Sequence, residues 1–252
     1  MYVTSGTTNR SLKQPTSQAV NKKRHENYLD GRSIEVIVGS SPSVTFSVHE
    51  NLICSSSDFF KKAVQGGWKE SEDRLVRLES DDPDVFSIYL HWLYYHTLPV
   101  RIDEPGLAGN AEYMQLANAF ILGDMFQDGN FQDAVMDAMM DKTASEAADG
   151  KHWYPVGPVI RLIYENTFES SKARLFLVDM YTLHGQGHWL TEWAVQEDLP
   201  KDFLLDVAAS LLEHRPHPLS YYLVLGSCRY HQHEPEARAC YKNVPALRPK
   251  RG

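Results

Sequence analysis

The chain has 252 residues, enough for one large domain or two small ones around a substantial core. Its 42% hydrophobic and 23% charged residues, with 13 Tyr and five Trp, are those of a globular protein and exclude long disorder outside the termini. A formal charge of -8 supplies no overall basic footprint for nucleic acid, and no apolar run approaches the ~20 residues that cross a bilayer.

Residues 1–30 are rich in Ser, Thr, Asn, Gln and Lys, show no apolar period and read as a solvated tail. The basic cluster Lys22-Lys23-Arg24 is short and belongs to that tail rather than to an import signal. The start of the chain lacks the apolar core of a signal peptide, so an intracellular location, cytoplasm or nucleus, is expected. Cys54, Cys228 and Cys240 do not make a secreted disulfide framework.

Order begins at Ile34. Ile34 to Gly39 and Val44 to Val48 are β-branched runs around a Gly-Ser-Ser-Pro turn, which predicts a hairpin. A His-led turn, His49 to Leu52, follows. Ser57 is placed to cap a helix that starts at Asp58 and stops at Gly66-Gly67. Arg74 to Leu78 predicts a third strand. Asp82-Pro83-Asp84 is a helix start, and Val85, Phe86, Tyr89, Leu90 and Leu93 give it one apolar face.

Pro99 to Pro105 reads as a connection, after which Asn110 is placed to cap a helix carrying Tyr113, Leu116, Ala117, Phe120 and Ile121. A second helix starts at Asn130 with Phe131, Ala134, Val135, Ala138 and Met139, so an antiparallel pair is expected. The small, polar run Thr143 to Lys151 marks a boundary. Pro158 to Tyr164, Ser171 to Leu183 and Pro200 to Leu212 predict three more helices, the last with Leu204, Val207, Ala208, Leu211 and Leu212 on one face.

The order strand, strand, His-led turn, capped helix, strand, Pro-started helix resembles the BTB (POZ) domain. The match rests on Val48-His49-x-x-Leu52, Ser55 to Phe60, Lys69-Glu70-Ser71, Val76-x-Leu78, Asp81 to Phe86 and Trp92-Leu93-Tyr94. It spans about residues 32 to 140. Later segments, Leu122-Gly123-Asp124-x-Phe126-Gln127-Asp128, Tyr164 to Thr167 and Arg174 to Tyr181, are similar to those of the fungal group of BTB proteins. The resemblance implies an interaction module and not a catalyst. Many BTB domains carry Asp just before the first strand, in a polar pocket with the residue at the position of His49. Ser33 stands there in this chain, which counts against a charged peptide-binding pocket.

The fold class expected is therefore α+β. A BTB/POZ-like small sheet with helical hairpins covers residues 31–142, an all-helical extension 143–220, and a Cys/His-containing tail 221–252. BTB proteins that recruit a cullin scaffold for ubiquitin ligation often show a hydrophobic residue, any residue, then Glu. Trp68-Lys69-Glu70 fits that pattern and places an aromatic anchor and an acid at a candidate partner surface. His49 reads as a histidine satisfied by hydrogen bonds at a strand-to-helix turn, and Phe59, Phe60, Phe86, Tyr89 and Trp92 as core.

The second candidate is Cys228-x2-His231-x-His233-x6-Cys240. Four soft or borderline ligands within thirteen residues suit a structural Zn²⁺ with every position filled, beside the alternative of a His-rich surface tail. His184-Gly-Gln-Gly-His188 reads as a loop rather than a metal pair. Phosphate-loop, nucleophile-elbow, His-Glu-x-x-His and dinucleotide signatures are not found.

The leading function is an adaptor that recruits substrates to a cullin-based ubiquitin ligase. The competing readings are a BTB-type nuclear co-regulator and, from another class, a zinc-dependent enzyme. Protein partners are expected, with no direct nucleic acid and no membrane. Asn21 to Gly31 offers only Tyr28 and Leu29 as apolar residues, too few for the swapping helix common in BTB dimers, so the oligomeric state stays open.

Overall fold

In β1 (Ser33–Val38) the alternation of polar and β-branched residues sends Ile34, Val36 and Val38 to one face, where all three are fully buried. The computed structural model describes residues 31–65, 74–191 and 199–214. β1 pairs antiparallel with β2 (Val44–His49), Ser33 opposite His49 and Val38 opposite Val44. It pairs parallel with β3 (Leu75–Leu78), Glu35 opposite Leu75 and Val38 opposite Leu78. The sheet order β2-β1-β3 puts the most apolar strand in the centre.

A parallel pair needs a crossover, and two short helices begin it. The first, α1 (Glu50–Ser56), was expected only as a turn. Its sequence carries no capping side chain, and tertiary contacts hold it: the Glu50 N–H donates to the Arg32 carbonyl at 2.9 Å, and Ile53 is fully buried. α2 (Asp58–Gln65) follows, and Ser57 serves it as expected, its Oγ accepting from the Phe60 N–H at 3.2 Å. The expected stop at Gly66-Gly67 lies outside the described residues.

α3 (Pro83–Tyr95) starts as its sequence predicts, with Asp82 Oδ1 accepting from the Asp84 N–H at 2.8 Å and Pro83 in the first turn. α4 (Gly106–Phe126) and α5 (Gly129–Ala144) form the antiparallel hairpin. Its tightness is written in Gly123, where a Cβ would stand 2.8 Å from Gln132 Cγ and 3.0 Å from Phe131 Cδ1.

α4 begins at Gly106, four residues before Asn110, so Asn110 lies within the helix instead of capping it. α5 is capped by Asp128, whose Oδ1 accepts from the Phe131 N–H at 3.0 Å, and not started by Asn130.

Asp128 is 1% exposed and ties four elements together. Its Oδ2 also accepts from Ser56 Oγ at 2.5 Å and from the Tyr89 hydroxyl at 3.0 Å. Beside it, Ser57 Oγ donates to the Phe126 carbonyl at 2.6 Å. Burial and this carboxylate push the Tyr89 hydroxyl far above its ordinary pKa, so it stays a neutral donor. Around the knot Phe60, Tyr89, Phe126 and Phe131 pack at ring centroid distances of 4.9 Å. Phe60, Phe86, Tyr89 and Trp92 are core as read, and Phe59 is half-buried against Phe126.

A second buried polar device fixes the connection before α4. Glu112 and Lys142 pair at 2.8 Å with side chains only 6% and 5% exposed. Between them they satisfy one residue's main chain: the Ile102 N–H donates to Glu112 at 2.7 Å, and Lys142 donates to the Ile102 carbonyl. Gly109 lets the connection approach, because a Cβ there would stand 2.1 Å from the Glu104 carbonyl oxygen.

α6 (Gly157–Asn166), α7 (Lys172–His184) and α8 (Lys201–Glu213) make the helical extension, and α6 packs on α4. The BTB-like part and residues up to Ser210 fall in one compact unit, and a second unit begins at Leu211. The buried face of α8 is centred on Phe203 and Val207 and leaves Ala208, Leu211 and Leu212 exposed, a shift from the expected stripe of Leu204, Val207, Ala208, Leu211 and Leu212. Phe203 draws it round by packing on Tyr181 at 4.9 Å and Tyr164 at 5.5 Å.

Arg174, 9% exposed, closes the α6–α7 corner. It donates to the carbonyls of Tyr164 and Thr167 and to Thr167 Oγ1, and lies 4.5 Å from the Tyr164 ring centroid. Arg174→Ala is expected to cost roughly 2–4 kcal/mol in urea-induced unfolding, because it orphans the carbonyls that end α6. A loss under about 0.5 kcal/mol, the range of an ordinary surface change, would contradict this.

Candidate interaction surfaces

At the corner between β2 and α1, His49 Nδ1 lies 2.8 Å from the Tyr94 hydroxyl, which also receives the His49 N–H at 3.3 Å. The register places Ser33 opposite this histidine, and Glu50 next to it is ion-paired with Arg74. His49 is thus satisfied by hydrogen bonds, as its position in the sequence implies, and the neighbouring charges neutralise each other. The corner is a structural joint.

From it α3 leads to an exposed aromatic patch. Tyr95 is 69% exposed, His91 lies 4.8 Å from it and Tyr94 6.5 Å. An αL residue, His96 at φ 53°, ends the helix there, and its N–H donates to the Trp92 carbonyl at 2.8 Å. On the α4–α5 hairpin Met125 and Met140 are exposed too. Met is adaptable at contact surfaces, and Tyr is enriched in them.

The extension carries its own apolar outcrop. Leu175 and Leu183 stand eight residues apart on α7, 51% and 70% exposed, and Phe168 before the helix is 81% exposed. A third feature, missed from the sequence, is a cavity lined by Trp153, Tyr154, Tyr181 and Trp189. These aromatics come from separate segments, and only the adjacent Trp153-Tyr154-Pro155 gave a local signal.

Trp68, Lys69 and Glu70, the candidate partner residues, lie outside the described residues, as do Cys228, His231, His233 and Cys240. Among the described residues no group of three or more His, Cys, Asp or Glu side chains is placed to hold a metal ion. His184 stacks on Tyr154 at 4.9 Å. Burial, with Glu50 nearby, pushes the Cys54 thiol up to about 11, which keeps it a neutral, weak nucleophile near pH 7.

The strand order, the α1–α2 crossover, the Pro-started α3 and the α4–α5 hairpin are accompanied by a direct family match. Residues 26–133 match the family model of the BTB/POZ domain. The chain carries a BTB/POZ domain. The match covers α4 and the first turn of α5, and the rest of α5 and α6 to α8 lie beyond it. The BTB/POZ domain is a protein–protein interaction module, and the exposed Tyr95 and Met125 are the kind of side chains such a module offers. Among the described residues no helix is long and apolar enough to cross a membrane.

Proposed function

We propose that this BTB/POZ protein is an adaptor that joins a cullin scaffold to a substrate of ubiquitin ligation. The observation that carries the reading is the Trp68-Lys69-Glu70 pattern, in the segment between α2 and β3 of the matched domain. Hydrophobic, any residue, Glu supplies an anchor to desolvate and an acid to orient, the pairing that fixes position and specificity at an interface. A bridge also needs a second surface. Phe168, Leu175 and Leu183 provide exposed apolar area on the extension, outside the matched domain, for the substrate side.

Affinity purification of the full chain with mass spectrometry is expected to recover a cullin. Trp68→Ala and Glu70→Lys are each expected to reduce that recovery by roughly tenfold, the loss of one interface anchor. Leu183→Asp on the extension is expected to leave cullin recovery intact while removing other partners. Cullin recovery unchanged by both segment variants would overturn the scaffold assignment.

A further inference from the structure

The aromatic cavity of the extension has the chemistry of a peptide site, and none of its lining residues belongs to the segment assigned to the scaffold. It measures about 100 Å³ and is bounded by Gly106 and Leu107 at the start of α4, by Trp153 to Val156, and by Tyr181 and Trp189. Half of these eight residues are aromatic and none is charged. Tyr181 and Trp189 form the floor, edge to face at 5.3 Å and 7% and 2% exposed. Trp153 and Tyr154 are half-buried walls, and Leu107, 64% exposed, stands at the rim.

The walls are held from outside. The Tyr113 hydroxyl donates to the Trp153 carbonyl at 2.9 Å, and His184 stacks on Tyr154. Burial raises the Tyr154 hydroxyl above its ordinary pKa, so this wall stays neutral. Such a site costs little to organise when something enters it.

Two further observations narrow the occupant. The first is a donor without an acceptor: Trp189 Nε1 is buried and meets none among the described residues. An indole N–H in that position costs free energy that a carbonyl would recover. Nε1 itself is covered by protein in this structure. α4 adds to the donor character of this end, because it starts at the cavity without a side-chain cap.

The second is charge at the mouth. The segments 101–104 and 146–151, which do not line the cavity, carry Asp103, Glu104, Glu146 and Asp149 against Arg101 and Lys151, and Arg101 is bound to Asp103 at 2.9 Å. Asp149 accepts from Trp153 Nε1 at 3.3 Å, and the Ala148 N–H donates to the Asp103 carbonyl at 2.7 Å, which draws these segments together beside the wall. Donors within and acids outside disfavour a cation inside the cavity and favour one at its mouth.

We propose that this cavity docks a proline-containing segment of a partner protein, extended as a polyproline II helix, with a basic residue flanking the proline. A proline ring stacks on Trp and Tyr faces. A polyproline II segment keeps its carbonyls free of internal hydrogen bonds, and its stiffness leaves little entropy to lose. The flanking Arg or Lys meets the acids of the mouth.

The test is fluorescence anisotropy with the full chain and a fluorescein-labelled, C-terminally amidated peptide, Ala-Pro-Pro-Leu-Pro-Pro-Arg. Saturable binding is expected, weakened at least roughly tenfold by Trp153→Ala and by Leu107→Arg. Replacing the peptide's Arg by Glu is expected to weaken it similarly. Leu107 is exposed, so its variant remains decisive if Trp153→Ala fails to fold. No saturable binding, or binding that Leu107→Arg leaves unchanged, overturns the proposal. So does equal competition by choline, which would make the cavity a cage for quaternary ammonium.

Discussion

Asp128→Ala is expected to lower the unfolding free energy by roughly 3–5 kcal/mol, a large share of the stability of a typical domain. The carboxylate is 1% exposed and holds three donors: Ser56 Oγ, the Tyr89 hydroxyl and the Phe131 N–H. Alanine leaves the buried Tyr89 hydroxyl without this acceptor, at about 1–3 kcal/mol, costs less at the part-buried Ser56, and removes the cap of α5, worth about 1 kcal/mol. Asp128→Asn keeps a neutral acceptor and is expected to lose about half as much. Urea unfolding followed by circular dichroism measures both. A loss below about 1 kcal/mol for Ala would show that the four elements do not depend on this joint.

Breaking the Glu112–Lys142 pair is expected to cost as much. Glu112→Gln and Lys142→Met each leave one buried charge without its partner, a change worth roughly 3–5 kcal/mol. The double variant Glu112→Leu with Lys142→Met removes both charges, and a buried pair replaced in this way is often neutral. Here it is not expected to be. Glu112 and Lys142 also satisfy the N–H and carbonyl of Ile102, so the double variant still orphans two main-chain groups and remains destabilised by roughly 2 kcal/mol. A denaturant series on the three variants decides it. Full recovery in the double variant would mean that water or another group takes over at Ile102.

The stretches that carry the family resemblance are also those that meet at Asp128. Ser55 to Phe60, the Pro-started helix with Tyr89, and Phe126-Gln127-Asp128 lie far apart in sequence and converge in one network. Their residue types are legible because capping, helical periodicity and aromatic packing each restrict what can stand there. α1 was not legible as a helix. Glu50 to Ser56 has no capping side chain, and a main-chain bond to Arg32 sets its start. The true start of α4 was hidden for a similar reason. Gly106 to Gly109 reads as loop, and helix there depends on Lys142, 40 residues from the carbonyl of Ile102 that it fixes.

The extension shows the limit from another side. Periodicity located α8 but not its face, because the choice between Phe203 and Ala208 rests on rings in α6 and α7. Beyond the adjacent Trp153-Tyr154-Pro155 the aromatic cavity had no signature, since residues 106, 153, 181 and 189 meet only after the extension packs. Trp68 and Glu70 present the opposite case, where the sequence pattern itself carries the reading and the partner gives it meaning.

That partner provides the most direct test of the adaptor. The purified full chain, mixed with the N-terminal region of a cullin and followed by size-exclusion chromatography with light scattering, is expected to elute as one complex of the two proteins. Trp68→Ala and Glu70→Lys together are expected to return both proteins to their separate positions. Separate elution of the unaltered chain and the cullin would contradict the account.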